Sequence, residues 1–214
     1  MNNQLTVQNL AKISIGFGCA FLILLTTLHF LKPEFNPTWR MISEYEIGKY
    51  GFLMTIAFFC WGAGFLSLDF AMWKSLDSIG GKIGKWWLLI IGIALFGAGI
   101  FTTQPITDVV RGTTDRLHAL CGVMMIFTFP ICALFLSVAL AKKEAFKIYK
   151  NQIFGVTLLA WIGFFAFFAA VIIFAPKDRM YNESVKVGYP NRFLVLNYTI
   201  WLISIARIFY KQQK

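Results

Sequence analysis

Six apolar blocks constrain this chain more than any other feature. They cover about 13–31, 50–73, 86–103, 117–141, 152–174 and 193–210. Each approaches or exceeds the roughly 20 residues that carry a helix across a bilayer. Inside hydrocarbon the peptide groups must bond to one another, so only helices and closed barrels can cross. The runs are continuous rather than alternating, which excludes a transmembrane barrel. The expected fold class is therefore an all-α integral membrane protein, a six-transmembrane-helix bundle forming one domain over 1–214. Tyr50, Trp73, Trp86, Trp87 and Tyr210 stand at block edges, where aromatic side chains favour the membrane–water interface. Pro130 lies within the fourth block and is expected to kink it. No small-residue cleavage site follows the first block, which reads as a retained span.

The charge balance agrees with this assignment. Only 14% of residues are charged, against about 25% in soluble domains. The net charge of +10 does not point to nucleic acid, because the lysines and arginines sit almost entirely in the short connections between blocks. Cys19, Cys60, Cys121 and Cys132 all fall inside apolar blocks without a C-x-x-C pair, as expected of small packing thiols.

Six spans put both termini on one side. The basic residues divide almost evenly between the two sides, but "KKEAFKIYK" (142–150) is the densest cluster. The rule that cytoplasmic connections are basic then places both termini in the cytoplasm and the chain in the cytoplasmic (inner) membrane. The acids are less evenly spread. Glu34, Glu44, Glu46, Asp108, Asp115, Asp178 and Glu183 all fall on the side away from the termini, and His29 and His118 lie at that end of their spans. The long connections 32–49, 104–116 and 175–192 gather there too.

Two stretches on that side carry the candidate chemistry. In "ISEYEIGKYG" (42–51), Ser43 and Glu46 have capping-box spacing at the start of span two, and Ser43 and Glu44 also read as a pair facing a cavity. In "GTTDRLHALCG" (112–122), Thr113, Thr114 or Asp115 can cap span four. Asp115 and His118 are three residues apart and share a helical face. Asp115 is thus expected to accept a hydrogen bond from His118, with Gly122 leaving room one turn deeper. Ionisable groups at membrane depth usually face a bundle interior or a wet cavity. Ser43, Glu44, Asp115 and His118 are the candidate catalytic set. His29, Asp108, Thr114, Asp178, Arg179 and Arg192 are the candidate ligand-binding residues, Arg192 because a guanidinium holds phosphate or carboxylate bidentately.

"ISEYEIGKYGFLM" together with "TDVVRGTTDRLHALCG" resembles the bacterial and archaeal membrane family called "domain of unknown function 998". The resemblance rests on Ser43, Glu44, Gly48, Asp108, Thr114 and His118. It implies six spans and a site near these residues, and it brings no activity with it.

The expected function is a polytopic membrane protein whose outward polar pocket binds a lipid headgroup or small amphiphile. The alternatives are a membrane-embedded lipid hydrolase using a Ser/His/acid or metal site, and a small-solute transporter or assembly protein. With two histidines and no H-x-x-x-H, neither a metal nor a cofactor is expected. The one metal set these residues allow joins His29, His118 and a carboxylate. The expected partners are membrane lipid and a small amphiphilic ligand. The expected spans contain no G-x-x-x-G motif, so the sequence assigns no oligomeric state.

Overall fold

The computed structural model describes residues 2–176 and 180–212. Six helices are long and apolar enough to cross a membrane, and the described residues contain no strand. They are α1 (Asn2–Leu31), α2 (Gly51–Met72), α3 (Ile79–Ile100), α4 (Thr113–Ala141), α5 (Lys150–Phe174) and α6 (Gly188–Gln212). Short 3-10 turns occupy Ile42–Glu46 and Glu144–Tyr149. The protein is an all-helical, multi-pass integral membrane protein. Each helix packs on the next, α6 returns to α1, and α2 also touches α6. The bundle is thus a closed ring with large side chains such as Phe65, Phe129, Tyr198 and Trp201 fully buried.

Pro130 is accommodated inside α4. Proline lacks the N–H that would bond the carbonyl four residues back. That carbonyl belongs to Ile126, and the Tyr198 hydroxyl of α6 donates to it at 2.7 Å. A neighbouring helix therefore satisfies the group that the proline frees.

Helix α3 starts at Ile79, well before the expected 86. Ser78 caps it by accepting from the Gly81 amide at 3.1 Å. Lys85 is carried inside the helix because its chain bends back, its ammonium bonding the Trp73 carbonyl and lying over the Trp73 ring. The earlier start also brings a G-x-x-x-G spacing, Gly80 and Gly84, into the span. Gly84 faces α4 within the same chain, where a β-carbon would come within 2.7 Å of Leu136.

The connections 32–50 and 101–112 and the described residues 180–187 of the third connection meet at the end of the bundle opposite the termini. Segment 36–46 lies against the start of α6. Gly188 N–H donates to Thr38 O at 3.0 Å, and a β-carbon on Gly188 would sit 2.4 Å from Pro37 O. Arg192 clamps the same segment, donating to Arg40 O at 2.6 Å and to the Tyr45 hydroxyl at 2.9 Å. The expected Ser43–Glu46 cap of α2 does not form. The chain turns at Gly48 and Tyr50, with φ of 74° and 63°, and α2 begins only at Gly51. Glu44 instead reaches back to the Met41 amide at 2.9 Å, stabilising the start of the 3-10 turn.

Candidate functional site

Where the three connections meet, a cavity of about 490 Å³ runs down between the helices. Its polar end is formed by Ser43, Glu44, Arg111, Asp115, Arg116 and His118. Deeper, most of its wall is apolar: Trp61, Met125, Ile126, Phe127, Phe167 and Leu194. It is an amphipathic shaft rather than the polar pocket expected.

His118 sits one turn into α4. Its Nδ1 lies 2.9 Å from Ala98 O and 2.8 Å from Phe101 O, at the C-terminal end of α3, where carbonyls lack intrahelical partners. A carbonyl can only accept, so Nδ1 carries a proton. In the neutral ring Nε2 is therefore the basic nitrogen. The ring packs edge-on against Phe58, with centroids 5.7 Å apart. Glu46 Oε2 is a third, longer neighbour of Nδ1 at 3.5 Å.

The expected Asp115–His118 bond is replaced by this arrangement. Asp115 Oδ1 instead accepts from the Gln104 amide at 2.8 Å and the Thr103 hydroxyl at 3.1 Å, and Arg111 stands 3.4 Å away. Asp115 fixes the strand of loop leaving α3 rather than orienting the histidine. Nor does it cap α4, whose N-cap is Gly112 without a side-chain bond. Two residues on one helical face need not meet when a neighbouring helix end offers each a better partner.

Glu44 plays a similar joining role. Its Oε1 accepts from the Ile106 amide at 2.7 Å and pairs with Arg40 at 2.9 Å, tying the first long connection to the second. Burial pushes its carboxyl above the usual range, against the pull of the Ile106 amide and Arg40. Burial lifts Glu46 further, to about 8, against bonds from the Thr103 amide and Thr55 hydroxyl; one of its oxygens has no partner among the described residues. Ser43 lines the cavity.

The structure thus brings Ser43, Glu44, Asp115 and His118 to one cavity. The other candidates lie elsewhere. His29 and Arg192 bond each other, with Arg192 Nε donating to His29 Nε2 at 2.7 Å. His29 Nδ1 bonds Leu25 O at 2.7 Å, so both of its ring nitrogens are occupied. Asp108 and Thr114 do not line the cavity. Asp178 and Arg179 lie outside the described residues. The described residues contain no group of three or more His, Cys, Asp or Glu that could hold a metal, and the His29–His118–carboxylate set is not assembled.

The profile of the family described as "Protein of unknown function (DUF998)" matches residues 15–208, nearly the whole chain. The chain belongs to that family. No curated protein and no solved structure matches it. In this DUF998 member the cavity also involves residues that sequence reading passed over. Arg111 and Gln104 carry no distinctive local pattern. Asn191 holds the Ile42 amide at 3.1 Å from the far end of the chain. Glu46 reads from sequence as a capping partner of Ser43 and as a charge on the right side, and nothing local links it to His118, its neighbour at 3.5 Å.

Proposed function

We propose that this protein binds an amphiphile in the cavity between its helices, with His118 contacting the polar head. The observation that carries this reading is the amphipathic shaft itself: titratable groups at one end and apolar side chains along the rest. Ligand sites of about 300–1,000 Å³ with few, convergent polar groups fit this form. The head lies at the end away from the termini, which the basic 142–150 segment assigns to the cytoplasm of an inner-membrane protein.

The test is the lipid retained by purified protein, read by native mass spectrometry. His118→Ala strands two buried carbonyls, a cost of about 1–3 kcal/mol each. His118→Gln keeps a donor and removes the basic ring nitrogen. Both variants are expected to lose retained lipid per folded molecule, the glutamine variant with the smaller fall in melting temperature. Unchanged retention in both makes His118 purely structural.

One observation favours a second reading, hydrolysis. His118 presents a basic Nε2, and the Ser43 hydroxyl lines the same cavity. In that reading Ser43 adds to an ester carbonyl, its proton passes to Nε2 and then to the departing alcohol, and water releases the acyl group. Release of nitrophenol from a nitrophenyl ester, abolished by Ser43→Ala, supports it. Equal rates in wild type and Ser43→Ala exclude it.

A further inference from the structure

We infer that the ligand is a single-chain amphiphile with an anionic head, entering sideways from the bilayer between α4 and α5. This rests on the amphiphile-binding reading above and narrows it.

The charge at the mouth sets the sign of the head. Each acid lining the cavity has its own arginine: Glu44 pairs with Arg40 and Asp115 with Arg111. Arg116 also lines the cavity, and it has no ion pair among the described residues. Among the described residues Arg116 is thus the cation lining the mouth without an ion pair, beside an imidazole whose Nε2 becomes a second donor when protonated. A carboxylate or phosphate is the chemistry that complements it.

The dimensions set the number of chains. From Arg116 to Phe127 the cavity follows α4 for eleven residues, about 16 Å at 1.5 Å per residue. That is about half of the roughly 30 Å hydrocarbon core, the depth of one leaflet. The volume of about 490 Å³ lies within the roughly 300–1,000 Å³ of sites for small molecules. One acyl chain with its head is a ligand of that size, and a two-chain lipid exceeds it.

The route is set by exposure. Val123 and Phe127 line the cavity, yet are 49% and 36% exposed on the outer surface of α4. Phe127 packs edge-on against Phe164 and Phe168 of α5, with centroids 5.8 and 6.1 Å apart, so the route lies nearer the mouth, past Val123 and opposite Val171 of α5. Gly122 stands at this opening, and a β-carbon there meets nothing within 4 Å. A large side chain at this position fills the passage without displacing the core.

The experiment measures probe occupancy on protein in detergent by native mass spectrometry. The probes are oleate and lysophosphatidylglycerol (one chain, anionic), lysophosphatidylcholine (one chain, zwitterionic) and dioleoylphosphatidylglycerol (two chains, anionic). Wild type is expected to bind at least one of the first two about tenfold more tightly than the last two. Oleate alone identifies a carboxylate head, lysophosphatidylglycerol alone a phosphate head, and both a shared anion site. Arg116→Gln should reduce that binding about tenfold, and Gly122→Phe should abolish it while the melting temperature holds. If the zwitterionic or two-chain probe binds as tightly and Gly122→Phe still blocks it, the ligand class is wrong and the amphiphile reading stands. If folded Gly122→Phe blocks no probe, both fail.

Discussion

Arg192 Nε donates to His29 Nε2 at 2.7 Å, which makes the histidine an acceptor and the arginine a structural clamp. The same guanidinium reaches Arg40 O, Gly188 O and the Tyr45 hydroxyl. It therefore joins α1, segment 36–46 and α6 at the end of the bundle opposite the termini. Arg192→Ala should cost about 2–4 kcal/mol, since each stranded buried acceptor costs about 1–3 kcal/mol. Arg192→Lys should recover only part of this, because an ammonium cannot span the fork. Thermal melts in detergent check both. A loss of less than about 0.5 kcal/mol for the alanine variant, the range of an ordinary surface change, would remove the clamp from this account.

Glu46 gives the stability a pH dependence of known sign. Its folded pKa is raised by burial to about 8, above the roughly 4.3 of an unfolded glutamate. The folded state then holds a proton that the unfolded state releases. Stability from this group is greatest below about pH 4 and is lost as pH rises toward 8, beyond which the loss is complete. Glu46→Gln should flatten this slope and stabilise the protein at pH 8, with about 2–4 °C of melting temperature for each kcal/mol. Parallel melting curves for wild type and Glu46→Gln between pH 5 and 8 would contradict it.

The proposed orientation is tested by labelling intact cells with a membrane-impermeant maleimide. Glu183→Cys, on the exposed connection before α6, should react from outside. Lys147→Cys, on the 3-10 turn before α5, should react only after lysis. The opposite pattern reverses the topology and turns the cavity toward the cytoplasm.

The helices were legible because spanning blocks are long, continuous and nearly free of charge, a pattern that tertiary packing cannot overturn. The start of α3 was hidden because Lys82 and Lys85 interrupt the apolar run, although Lys85 bends its ammonium back to Trp73. At the cavity, charge at a membrane mouth pointed to Asp115 and His118. Their partners did not follow. The carbonyls facing His118 belong to the end of α3, and backbone acceptors leave no trace in residue identity. His29 and Arg192 suited a ligand site by chemistry alone, but the fold spends both on its own loops.

The most direct measurement uses a fatty acid with a diazirine near its tail, photolysed on the purified protein and mapped by peptide mass spectrometry. The account predicts cross-links on α4 between Gly122 and Phe127 and on α5 between Phe167 and Val171, lost in Gly122→Phe. Cross-links spread over outward-facing residues such as Ile23, Ile93 and Ile172, and unchanged in Gly122→Phe, would contradict it.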